Sequence, residues 1–138
     1  MAQGLRRPSN REREKKLREA ITALESGRYV FIDEDRHLYP DMAELGSESP
    51  EDHVEQVFGF LEEIQSAGGG YCYVGTYPPQ RCYHGKFQNL ELYAFAWQSP
   101  SAGKRMYLKF GIRLSRKDDS PTFLYLDCHE DNPNKKNR

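Results

Sequence analysis

Lys104-Arg105-Met106-Tyr107-Leu108-Lys109-Phe110-Gly111-Ile112-Arg113-Leu114 is the stretch on which the fold turns. Met106, Leu108, Phe110, Ile112 and Leu114 alternate with Arg105, Tyr107, Lys109, Gly111 and Arg113. Period two is the signature of a β-strand, because successive side chains leave opposite faces of the pleat. One face is wholly apolar and needs a core to pack on. The other carries three cations and a phenol, more charge than protection of a sheet edge requires.

Downstream, Ser115 to Pro121 reads as a polar turn and Thr122-Phe123-Leu124-Tyr125-Leu126-Asp127-Cys128 as the last strand. Upstream, Leu90 to Trp97 reads as a strand apolar on both faces, which suggests a central position in the sheet. Ser99-Pro100-Ser101-Ala102-Gly103 is a hairpin connection to the organising strand. Tyr71-Cys72-Tyr73-Val74 is a further candidate strand, followed by the rigid extended Tyr77-Pro78-Pro79-Gln80.

The N-terminal half is helical. Ser9 or Asn10 caps a helix to about Ser26, with Leu17, Ala20, Ile21 and Leu24 as its apolar stripe and Gly27 as its left-handed end. Tyr29-Val30-Phe31-Ile32 is a short strand or a buried connector. Asp33-Glu34-Asp35 lacks calcium-loop spacing and reads as a solvated turn. His37 to Gly46 reads as loop, with Pro40-Asp41 as a turn signal. Ser49-Pro50-Glu51-Asp52 opens a second helix, since Ser49 caps, Pro50 takes the first position and the acids meet the positive dipole end. Its buried stripe is Val54, Val57, Phe58, Leu61 and Ile64. Gly68-Gly69-Gly70 reads as a flexible connector, with no phosphate-loop pattern around it. The sum is an α+β fold, with two helices against one face of an antiparallel sheet of three to five strands. Residues 1–8 read as disordered, 9–130 as one domain and 131–138 as a polar tail.

Composition narrows the function classes. The chain has 138 residues, three cysteines and a net charge of −1. No apolar run approaches the roughly 20 residues of a membrane helix, and the start shows no secretory h-region. An odd cysteine count fits a reducing compartment, so the cytoplasm is expected. Charge is segregated. Residues 31–70 hold one Arg against eleven acids, whereas residues 71–117 hold eight Lys or Arg against one acid. Such a chain can offer a cationic surface to nucleic acid, although opposite blocks can equally attract each other within the fold.

Strict alternation on the last strand puts Leu124 and Leu126 in the core with Thr122 and Cys128. It sends Phe123, Tyr125, Asp127 and His129 the other way. The uncovered face then gathers Arg105, Tyr107, Lys109, Arg113, Tyr125, Asp127 and His129. These residue types suit RNA cleavage without a metal or other cofactor. His129 is the candidate acid or base. Tyr107 or Tyr125 could orient the substrate or donate a proton. Arg105, Lys109 and Arg113 would hold the phosphate and stabilise its developing charge. Lys86, in the basic and aromatic run from Arg81, adds a further substrate-binding cation. The competing reading is a charged outer face with His129 in a loop.

Around Tyr73-Val74-Gly75-Thr76-Tyr77-Pro78-Pro79-Gln80 and Lys104-Arg105-Met106-Tyr107-Leu108-Lys109-Phe110, with a short final strand, the chain resembles toxins of bacterial type II toxin–antitoxin modules. It is most similar to the MqsR-like branch of the RelE/ParE superfamily. The resemblance implies a RelE-like α+β fold and cofactor-free cleavage of messenger RNA. It also implies a neutralising antitoxin as partner, and the ribosome as a second candidate. It implies roles for Tyr107 and Lys109, and substrate contact by Gln80 and Arg81. The acidic middle and the ending Cys128-His129-Glu130 depart from the MqsR pattern.

Two rivals stand beside this reading. Cys72, Cys82, His84, Cys128 and His129 could gather around a metal, but Cys-x₉-Cys-x-His is not a zinc spacing and no Cys-x-x-Cys pair exists. A thiol nucleophile fares no better, since Cys128 and His129 are adjacent strand residues and face opposite ways. The alternative function is a non-enzymatic interaction module, an adaptor or an immunity- or antitoxin-like protein. Its support is the acidic segment Asp33–Glu63 and the aromatic loop Tyr71–Tyr83.

Overall fold

A computed structural model describes residues 6–132. Helix α1 spans Asn10–Glu25 behind Ser9, whose hydroxyl accepts from the Glu12 backbone while Glu12 returns a bond to the Ser9 N–H. That reciprocal capping box satisfies two otherwise orphaned donors. Strand β1 (Tyr29–Phe31), helix α2 (Leu38–Leu45) and helix α3 (Pro50–Ala67) follow. Strands β2 (Leu92–Ser99), β3 (Lys104–Leu114) and β4 (Pro121–Glu130) complete an α+β fold.

The sheet order is β1-β4-β3-β2. The long strands are antiparallel, but β1 runs parallel to β4, so the sheet is mixed. This corrects the expectation of an antiparallel sheet throughout. The reason is the connection: β1 reaches β4 through two helices and two strands, so no tight turn dictates its direction. Strand β2 lies at the edge, not the centre. Both its faces are buried because helices cover one and the 80–91 loop folds over the other.

The main core lies between the helices and one sheet face. Leu17 and Leu24 of α1, with Val57, Phe60, Leu61 and Ile64 of α3, pack on Phe95, Trp97, Met106, Leu108, Phe110 and Phe123. The stripe of α3 is turned slightly from the expected one. His53 and Phe60 are buried, while Val54 and Phe58 are only half-buried. Glu63 of α3 pins the β2–β3 hairpin, accepting from Ser99 Oγ at 2.6 Å and Trp97 Nε1 at 3.0 Å.

Four local readings change. Residues 38–45 form helix α2 rather than loop, since Pro40 lies within its first turn, where its missing N–H costs nothing. Tyr71–Val74 is not a strand: Gly69–Cys72 makes a 3₁₀ turn, and Tyr73 only bridges to Phe95. The glycines there are a packing site, not a loose connector. Gly70 N–H donates to Glu14 Oε2 at 2.7 Å, and a Cβ on Gly69 would overlap that carboxylate. The chain ends are also tied further out than expected. Arg6 pairs with Glu12 and Glu91, and Asp131 accepts from Arg105 Nε at 2.9 Å. The remainder of both predicted tails, residues 1–5 and 133–138, lies outside the described residues.

A β-bulge sets the faces of β4. Lys109 pairs with Asp127 and Phe110 with Tyr125, so Leu126 is the extra residue. Past such a bulge the alternation changes phase. Asp127 and His129 share the outer face with Lys109 and Tyr107, as alternation predicts. Tyr125 and Phe123 instead point to the helices, and Leu124 and Leu126 join a second apolar cluster outside. That cluster includes Ile32, Cys82, Phe87 and Leu92. Gly111 makes it possible: the Cδ2 atoms of Leu90 and Leu92 lie 3.1 Å from where a Cβ would stand.

Where β1 stops, α2 takes over the free edge of β4. Asp41 Oδ2 accepts the Cys128 N–H at 2.8 Å, and Glu44 Oε2 accepts the Glu130 N–H at 2.8 Å. Two acids one helical turn apart thus satisfy alternate strand donors that would otherwise template another chain.

Candidate active site on the outer face

The 80–91 loop covers half of the outer face and creates a cavity. Its ends are stitched to the sheet by Leu92 N–H donating to Gln80 O at 2.7 Å, with Arg81 bridging Glu91. Beneath it, Lys109 is 6% exposed, and its Nζ donates to Gln80 Oε1 at 2.6 Å. Burial lowers the Lys109 pKa from the usual lysine value, and the charge of Asp127 opposes that shift. A cavity of about 180 Å³ opens here, lined by Lys109, Gln80, Arg81, His84, His37 and Asp127 among others. Tyr83 beside it is 72% exposed.

Tyr107, two residues before Lys109 on the same face, is 3% exposed and stacks on His129, with ring centroids 5.2 Å apart and planes 22° from parallel. His129 directs Nδ1 to the Glu130 carbonyl at 2.9 Å. It lines a larger cleft of about 630 Å³ with Arg36, His37 and the carboxylates of Asp41, Glu44, Asp127, Glu130 and Asp131. The outer face is therefore less open than alternation alone implies, because a loop rather than a helix lies over it.

The predicted residues divide into five groups. Lys109, Gln80 and Arg81 meet in the cavity. Tyr107 and His129 form a stacked pair on the neighbouring positions. Arg105 is turned to the chain end by its ion pair with Asp131. Lys86 and Arg113 flank the ring of Phe87 and line a separate basic hollow of about 470 Å³ with Arg116. Tyr125 is the correction. It is 1% exposed on the helix side, where its hydroxyl donates to Asp41 Oδ2 at 2.6 Å. The bulge, which no turn residue announces, reverses its direction.

Behind Tyr125, His53 Nε2 lies 2.7 Å from the same hydroxyl, and its Nδ1 lies 2.9 Å from Ser47 Oγ. The single Tyr125 hydrogen goes to Asp41, so Nε2 of His53 carries the hydrogen of their bond. Burial pushes the Asp41 carboxyl up to about 6 and the His53 imidazole down to about 4. Tyr125 and His53 lie on the helix side of the sheet, whereas Asp41, at the edge of β4, also lines the larger cleft.

Sequence reading missed His37 and His84 as members of the site and left Asp127 without a role. His37 Nδ1 lies 2.6 Å from Asp127 Oδ1, across 90 positions of chain. Only the folding of the β1–α2 segment over the sheet makes that pair. The cysteines do not converge, since Cys82 belongs to the outer cluster and Cys128 to the inner core. Among the described residues no three His, Cys, Asp or Glu side chains are grouped to hold a metal ion. No helix among them is long and apolar enough to cross a membrane. No family model, curated protein or solved structure matches the chain.

Proposed function

We propose that the chain cleaves RNA at a phosphodiester by attack of the 2′-hydroxyl, with side-chain cations in place of a metal ion. The observation that carries this reading is the buried Lys109 ammonium, oriented by Gln80 and accompanied by Arg81 in one cavity. A desolvated cation aimed into a cavity interacts strongly with a phosphorane, because little water screens it. Exposed Tyr83 offers a face on which a base can stack. The hollow lined by Lys86, Arg113 and Arg116 offers cations to further phosphates. On the strand spacing, Arg113 lies about 13 Å from Lys109, a distance that single-stranded RNA spans in about two nucleotides.

The resemblance to MqsR-like, RelE-like toxins supports the same reading, since Tyr107, Lys109, Gln80 and Arg81 are the residues it singles out. It adds a neutralising protein as the proposed partner. The alternative, a protein-interaction module, draws on Tyr71 and Tyr83, which are both largely exposed.

The test is incubation of the purified chain with end-labelled RNA in EDTA. The expected products carry 2′,3′-cyclic phosphate and 5′-hydroxyl ends, and RNA blocked by 2′-O-methyl groups stays intact. Cutting only after divalent metal is added would refute the mechanism. Harmless expression in a bacterium, with no cutting of any RNA, would favour the interaction module.

A further inference from the structure

His37 and Asp127 line both the Lys109 cavity and the larger cleft beside it. Their side chains are only 22% and 19% exposed, so the pair is largely withdrawn from water. A carboxylate 2.6 Å from Nδ1 accepts its hydrogen. That bond holds the ring in one orientation and one tautomer, and leaves Nε2 as the nitrogen able to exchange a proton. The other histidines are placed differently. His129 bonds a backbone carbonyl and stacks on Tyr107. His53 is fully buried in the core on the opposite face. His84 lines the cavity from an exposed position on the loop.

We infer that His37, oriented by Asp127, is a catalytic residue of the outer-face site and acts as general acid toward the departing 5′-oxygen. The inference rests on the RNA-cleavage reading above and moves the acid role from His129 to His37. In the step, the 2′-hydroxyl proton passes to water at the cavity mouth and the O2′–P bond forms. The P–O5′ bond breaks, and the electron pair leaving with O5′ takes the Nε2 proton of His37. The products are a 2′,3′-cyclic phosphate, a 5′-hydroxyl and a neutral imidazole, which regains its proton from the hydronium formed in the first transfer. Lys109 and Arg81 hold the phosphate oxygens throughout.

The test uses the full chain under single-turnover conditions in EDTA, on an RNA whose cut position has been mapped. A second RNA carries sulfur in place of O5′ at that position, because a thiolate leaves without being protonated. His37→Gln is expected to slow cleavage of ordinary RNA by about 100-fold or more, and of the sulfur-substituted RNA by less than about tenfold. His129→Gln is expected to affect both substrates alike. Equal slowing of both substrates by His37→Gln, or no slowing, overturns the assignment while leaving RNA cleavage standing. A wild-type chain that cuts no RNA removes the cleavage reading, and the assignment falls with it. Should His37→Gln fail to fold, the wild-type chain decides. Its His37 ring signals in nuclear magnetic resonance are expected to move when a 2′-O-methyl oligonucleotide binds, and unmoved signals at saturation overturn the assignment.

Discussion

Lys109 and Tyr125 had the same standing in the sequence, as polar members of alternating strands, and the fold gives them opposite uses. Lys109 is buried under a loop yet aimed into a cavity, with a neutral amide to orient it. Lys109→Met keeps the aliphatic stem and removes the charge. It is expected to reduce RNA cleavage by about 10²- to 10³-fold, as loss of a preorganised electrostatic group does. Thermal unfolding is expected to be unchanged or raised, because burial of that ammonium is itself unfavourable. Cleavage kinetics set beside a melting curve would check both halves. Tyr125→Phe is expected to do the reverse. Asp41 loses a donor and His53 an acceptor, a cost of about 1–3 kcal/mol for buried groups left unpaired. Urea denaturation would measure it, and cleavage by the folded variant is expected to remain near the wild-type rate.

Two elements that the periodicity did not show are α2 and the bulge in β4. Helix α2 is short and only partly buried, so its apolar pattern is weak. What defines it is the pair of acids that satisfy the β4 edge, a contact visible only when strand and helix are side by side. Its anchor has a pH signature. The Asp41 carboxyl is raised by burial from 3.8 to about 6, so its stabilising contribution is present below 3.8 and is lost as pH rises through 6. The His53 imidazole is lowered from 6.5 to about 4, so its contribution is present above 6.5 and is lost as pH falls through 4. Between pH 4 and 6 the two slopes have opposite sign and offset each other. Asp41→Asn leaves His53 alone. Its stability is therefore expected to climb with pH from 4 to 6.5, with a slope of at most about 1.4 kcal/mol per pH unit. Denaturant midpoints taken across that range for both proteins would show the variant rising more steeply than the wild type.

At the scale of the whole molecule, charge segregation becomes spatial. Basic strand and loop residues line the Lys109 cavity and the hollow at Arg113, while the cleft beside them, at α2 and the end of β4, is lined by Asp41, Glu44, Asp127, Glu130 and Asp131. If RNA lies along β3 from the Lys109 cavity to the hollow at Arg113, its binding depends on counterion release. Each phosphate contact on a single strand contributes about 0.7 to the slope of log affinity against log salt. The triple variant Lys86→Ala, Arg113→Ala, Arg116→Ala is expected to reduce that slope by about 2, as measured by titration of a 2′-O-methyl oligonucleotide at several salt concentrations. The sequence by itself determined the local matters: both long helices and their caps, the three long strands, the hairpin between the first two, and the apolar face of β3. Each follows from side-chain periodicity and from capping or turn residues within a few positions. Only the tertiary structure decided that β1 runs parallel, that the 80–91 loop covers the outer face, that Tyr125 turns inward, and that His37 meets Asp127. These depend on contacts between residues far apart in the chain, and on one bulge residue that shifts the phase of a strand with no local mark, so no window of sequence contains their cause.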